Sequence, residues 1–164
     1  MKSILKITIF LTITSCIAQD LDKNSYDFWI GEWDLTWTNA QGQTMKGTNN
    51  VIKILDGKVI QESFVDLQNN FKGISLSVYN ARKKIWRQAW ADNGGGYFNF
   101  YGTIEENGDK VFITKTEEKN GKRIVKRMVF KNITKDSLIW DWEISQDDGL
   151  TWSLRWRINY NRKK

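Results

Sequence analysis

The sequence predicts an all-β domain, an antiparallel up-and-down barrel of about ten strands with a short N-terminal helical plug. Three observations predict it. Apolar and polar residues alternate with period two at both ends of the chain. Nine turn-forming clusters recur at intervals near those of sandwiches and barrels. No apolar helical pattern is present to cover an open sheet. A two-sheet sandwich is the competing architecture.

The elements follow in order. Residues 20–30, "DLDKNSYDFWI", suit one helical turn at a barrel end. In the first strand, from Gly31, Trp33, Leu35 and Trp37 alternate with Asp34, Thr36 and Thr38. The clusters "NAQGQ", "LDGK", "NNFKG", "NARKK", "DNGGG", "EENGD", "EKNGK", "NITKD" and "QDDGL" then separate successive strands. Late in the chain, Leu138, Trp140, Trp142 and Ile144 alternate with Asp141 and Glu143. Trp152, Leu154, Trp156 and Ile158 do the same against Ser153, Arg155, Arg157 and Asn159. Nine turns imply ten strands, and closing such a meander on itself removes both exposed edges.

With 164 residues the chain is one domain, large enough to bury a core. Residues 1–18 read as a signal peptide: Lys2 and Lys6 form a basic region, "ITIFLTIT" a short apolar one, and "SCIAQD" a processing site. "ITSC" suits lipoprotein processing, with Cys16 as the lipidated residue, whereas cleavage after Ala18 leaves a soluble chain. Either route implies export, to the periplasm or the outer membrane and cell surface, with membrane attachment only through a lipid on Cys16. The barrel domain is then 19–164. Cys16 is the single cysteine, so no internal disulfide stabilises that domain. The formal charge is +6, and without residues 1–18, which hold two lysines and no acids, it is +4. This is a mild preference for anionic partners and no nucleic-acid footprint.

Two absences narrow the chemistry. There is no histidine, so Ser-His-Asp and Cys-His catalysis are excluded and the commonest transition-metal ligand is missing. There is also no proline, which suits uninterrupted sheet. No metal and no cofactor is expected.

"SQDDGLTW", Ser145 to Trp152, fits the Ser-x-Asp-x-Gly-x-Thr-Trp pattern and resembles the Asp-box hairpin of sialidases and other carbohydrate-active propellers. Its chemistry is that of a turn. The Asp accepts backbone N–H bonds, the Gly supplies positive φ, and Thr and Trp re-enter a strand. About 145 residues cannot supply the several four-stranded blades of a propeller.

"GEW" at the first strand resembles the Gly-x-Trp signature of lipocalins and their calycin relatives. That resemblance implies that Trp33 closes the barrel floor beneath a basic residue of the last strand, with Arg155, Arg157 and Arg162 as candidates. Together "FWIGEWDLTW", "GISLSVYN", "WRQAWADNGGG" and "WEISQDDGLTW" resemble, in order, an uncharacterised family of small exported bacterial lipocalin-like proteins. The resemblance spans nearly all the mature chain and implies the fold rather than an activity. Haem-binding barrels of the nitrobindin type share this architecture, but they hold iron through a histidine that this chain lacks.

A barrel of this size has a lumen that side chains fill or that holds one small ligand. The resemblance and the tendency of large aromatics to point inward place Trp86, Gln88 and Trp90 in that lumen, with Asp92 at its rim. Glu62, Ser75 and Tyr79 join them from neighbouring strands, and Asn99 and Tyr101 share one face of the sixth, a ligand-binding face if it is the inward one, since the glycine run before them leaves the register open. From "KRMVF" either Lys126 or Arg127 faces in, and Arg127 is taken as the ligand-binding one. Tryptophan faces stack on flat surfaces while amides, phenols and guanidinium fix polar groups. The leading expectation is therefore a binding protein for a small amphipathic or saccharide ligand, including an acidic oligosaccharide. The alternative is a lyase or dehydratase on uronic-acid sugars, with Tyr79 or Tyr101 and Glu62 or Asp92 as the acid–base pair. A structural envelope protein with a filled barrel is the third reading.

Overall fold

A computed structural model describes residues 21–164; the expected signal peptide and Cys16 lie outside them. The protein is all-β, with strands β1 (Gly31–Thr38), β2 (Thr44–Ile54), β3 (Val59–Asp66), β4 (Lys72–Asn80), β5 (Ile85–Asp92), β6 (Tyr97–Ile104), β7 (Lys110–Ile113), β8 (Glu117–Lys119), β9 (Lys122–Lys131), β10 (Ser137–Ser145) and β11 (Ser153–Arg162). Ten of these form a closed antiparallel barrel. Neighbours in sequence pair from β1 to β7, β9 pairs with both β7 and β10, and β11 closes the circle between β10 and β1.

The extra strand arises from one segment. Between "EENGD" and "EKNGK" the alternation predicts a single strand, but the chain bends at residues 114–116. β7 stays in the barrel wall opposite the C-terminal half of β9 (Val111 facing Val129), while β8 pairs with the N-terminal end of β9 (Glu117 facing Ile124). At the bend, Lys126 N donates to Thr114 Oγ1 at 3.0 Å, so a side chain replaces one rung of the ladder.

One end of the barrel is filled. A single 3-10 turn, Asp27–Trp29, inserts there and buries Tyr26 and Trp29 completely. Tyr26 stacks on Phe112 at 4.3 Å, and its hydroxyl donates to the Val111 carbonyl at 2.7 Å. Trp33 lies beneath this plug, with the Arg162 guanidinium 4.2 Å from its ring centroid. Of the three candidate arginines, Arg162 is the one over Trp33. It also donates to the carbonyls of Ile30 and Lys135, both at 2.8 Å, which ties the last strand to the plug. Arg157 lies outside the barrel in a two-point pair with Asp141. A charged tip on an apolar stem can seal an aromatic floor and still meet water.

Candidate functional site

The other end of the lumen is open. A cavity of about 240 Å³ runs from mid-barrel to this mouth, lined by residues of β3, β5, β6, β9, β10 and β11 and by Phe71. Its wall is aromatic. Phe64 meets Trp156 edge-on at 5.7 Å, Trp156 meets Trp140 at 5.8 Å, Trp140 stacks on Trp142 at 6.4 Å, and Trp142 meets Phe98 at 5.6 Å. Phe98 is the cross-strand partner of Trp90 on β5, and Trp90 meets Phe64 at 6.3 Å, so a belt of rings runs round the wall. Period two puts these residues on one face of each strand, and barrel closure turns those faces toward each other.

Trp90 reaches its place because β4 has no side chain where the ring crosses it. A Cβ on Gly73 would run into the indole. The other edge of the ring is held by a 3.0 Å bond from Nε1 to Asp92 Oδ2. Asp92 Oδ1 in turn accepts from the backbone N–H of Gly94 and Gly96, both at 2.9 Å. Partial burial works against ionisation of Asp92, yet the bonds from Trp90, Gly96 and Gly94 outweigh it and hold its pKa below the ordinary value. Asp92 is at the rim and is committed to the β5–β6 turn.

The inner end of the cavity is polar, and Glu62 is its centre. The residue is 5% exposed, on the inward face of β3 between Ile60 and Phe64. Its Oε1 accepts from Asn49 Nδ2 and its Oε2 from Ser75 Oγ, both at 2.7 Å. Asn49 Nδ2 also donates to the Tyr160 hydroxyl at 3.0 Å. Burial pushes the Glu62 carboxyl up to about 7, against the opposing pull of the Ser75 and Asn49 bonds. Burial, and secondarily the charge on Glu62, also holds Tyr160 well above its ordinary value. No Lys or Arg lines the cavity among the described residues.

Of the residues singled out from sequence, Glu62, Trp90 and Asp92 line this cavity, and Ser75 supports it from behind Glu62. Gln88 faces inward and is buried below the cavity. It donates to Ser77 Oγ at 3.0 Å, while its Oε1 has no partner among the described residues. Trp86 and Tyr79 belong to the plug end. Trp86 Nε1 donates to the Asp22 carbonyl at 2.7 Å and the Tyr79 hydroxyl to the Leu21 carbonyl at 3.2 Å.

Three expected lumen residues are outside the barrel. Tyr101 and Asn99 alternate with the inward Phe98 and Phe100, so both point away. Asn99 is exposed, and Tyr101 lies under Arg87, 4.6 Å from its ring centroid. The glycine run before β6 hid this register. Arg127 also faces out, because Met128 takes the inward position on β9. It pairs with Glu143 at 2.7 Å and Glu105 at 3.0 Å and covers Trp152. Its neighbour Lys126 is the basic residue on the lumen side, at the rim over Phe98. The two expected acid–base tyrosines are therefore not brought to Glu62 or Asp92.

Sequence reasoning passed over Asn49, Tyr160 and the belt's Phe64, Phe98, Trp140, Trp142 and Trp156 as site residues. A signal existed for the first two: Asn49 sits between inward Gly47 and Val51, and Tyr160 continues the Trp156–Ile158 face. The hairpin at Ser145–Trp152 is a turn: Asp147 Oδ1 accepts from Thr151 N at 2.9 Å, and Ser145 Oγ accepts from Gly149 N at 2.8 Å. No protein-family model matches this chain, and no curated protein does.

Proposed function

We propose that this protein binds a small amphipathic molecule in the open half of its lumen. The observation that carries the reading is the cavity itself, an aromatic belt with a single carboxyl at its inner end. An apolar cavity of ~150 Å³ holds a benzene ring, so about 240 Å³ suits a substituted ring or a small bicycle. The lining favours an amphipathic ligand over a saccharide. A sugar presents hydroxyls on every edge, and apart from indole N–H groups the described wall offers Glu62, Asp92 and Tyr160 to meet them, with Asp92 already engaged. Among the described residues no Lys or Arg lines the cavity to pair with a ligand carboxylate, Lys126 standing only at the rim, which weighs against an acidic oligosaccharide and against elimination on a uronate. The filled-barrel reading accounts for the plug end alone. The calycin-like arrangement supports the proposal, through Trp33 under Arg162 and a lumen sealed at one end and open at the other.

Tryptophan fluorescence tests this directly, because Trp90, Trp140, Trp142 and Trp156 line the cavity. Titration with aryl-alkyl compounds, fatty acids, neutral sugars and uronate oligosaccharides is expected to give saturable quenching with the first group and none with the last. Quenching by uronate oligosaccharides alone, or by nothing in the panel, would refute the reading.

A further inference from the structure

Resting on that lumen reading, we infer that the ligand carries a cationic end, a protonated amine, which enters the aromatic belt and pairs with Glu62. Three features of the site converge on this. First, both carboxylate oxygens of Glu62 accept hydrogen bonds from donors, Asn49 and Ser75, an arrangement that suits the ionised form. Second, that carboxylate has no countercharge among the described residues. The polar groups packed against it are Asn49 from β2, Ser75 from β4 and Tyr160 from β11, all uncharged near neutrality, and among the described residues no basic side chain lines the cavity. The rim charges are Asp92, held in its turn, and Lys126, over Phe98 and 4.0 Å from Glu117. Third, the approach to Glu62 is walled by indole and phenyl rings, whose faces attract a cation and give an anion nothing. A buried carboxylate without a partner is costly to keep, and a ligand ammonium would supply both the missing charge and a third hydrogen bond. Burial raises the proton affinity of the empty site, so an entering cation displaces a proton near neutral pH.

The test uses one skeleton with three end groups, 2-phenylethylamine, 2-phenylethanol and 3-phenylpropanoate, measured by tryptophan quenching and calorimetry on the full chain. The amine is expected to bind about tenfold or more tighter than the alcohol, as a charge-assisted bond implies, with the acid weakest. Glu62→Gln should remove that advantage and leave the alcohol within about threefold, since only the charge is lost. Should the variant misfold, the wild type still decides. Its affinity for the amine should rise about tenfold per pH unit from pH 5 to 6 and level off above 7, with proton release in calorimetry, while the alcohol stays flat. If alcohol or acid matches the amine, or amine binding ignores both Glu62→Gln and pH, the inference fails and the lumen reading stands. If none of the three binds, the lumen reading fails and the inference falls with it.

Discussion

Glu62 works against the stability of the fold that contains it. Its carboxyl ionises near 4.5 when unfolded and at about 7 in the barrel. The native state therefore holds one more proton than the unfolded chain between those values, and stability falls as pH rises through that window. The whole effect is about 3 kcal/mol, complete only above pH 7. Denaturant unfolding of wild type and Glu62→Gln from pH 4 to 8 should show it. The two proteins should be similar near pH 4, with the variant gaining steadily on the wild type to pH 7 or beyond. Parallel curves would mean that Glu62 is solvated or paired in solution. The binding role proposed for Glu62 would account for keeping a residue that costs this much stability in a core. Asp92 has the opposite character: its hydrogen bonds hold its pKa down, so its contribution is present above the ordinary carboxylate range and fades as pH falls.

Among the elements, β4 is the one whose hydrophobicity is inverted. Ile74, Leu76 and Val78 are exposed on its outer face, while Ser75 and Ser77 are buried inside. Neighbouring strands explain the inversion. Ser75 stands opposite both Glu62 and Trp90, and Ser77 opposite Gln88, so small hydroxyls inside leave room for the ring and satisfy the carboxyl and the amide. Gly73 completes the device by letting Trp90 lie against the strand. Gly73→Ala is expected to displace that indole, cost about 1–3 kcal/mol, and weaken ligand quenching more than it weakens folding. Near-UV circular dichroism with a denaturant midpoint checks both parts. An unchanged aromatic spectrum would refute the packing argument. The Asp147 hairpin joins β10 to β11 through local bonds and does not line the cavity.

At the scale of the whole molecule, the lumen divides into a filled half that supports the fold and an open half that offers a surface. Tyr26, Trp29 and Trp33 are almost fully buried at the plug end, whereas Trp90, Trp140, Trp142 and Trp156 keep some exposure at the mouth. Truncation should separate the two. Trp29→Ala is expected to cost about 3–5 kcal/mol, as for a large aromatic removed from a closed core. It should leave ligand affinity in the folded fraction nearly unchanged. Trp142→Ala opens space that water can enter, so it should cost less than Trp29→Ala in denaturant midpoint while lowering affinity by about tenfold. Equal effects of both variants on both measurements would dissolve the division.

The sequence by itself determined the all-β class, the nine turns, the near-count of strands and the plug, while the resemblance it carries implied a basic residue over Trp33 and left the structure to choose Arg162 among three arginines. These rest on local alternation and turn chemistry, together with a signature at fixed ends of the chain. It also pointed to Glu62 and Asp92, because polar residues on an inward face stand out against their neighbours, and to Trp90 through the resemblance and the tendency of large rings to point inward. Only the tertiary structure decided what period two leaves open. Alternation offers two faces without saying which is inside, so Tyr101, Asn99 and Arg127 went outward once Phe98, Phe100 and Met128 took the core. Nor does it say how far along the barrel axis a residue lies, so Tyr79 and Trp86 came to rest at the plug while Tyr160 reached the cavity. The bend that separates β8 from β7 and the meeting of Asn49 with Glu62 follow from strand register, set by closure of the whole barrel.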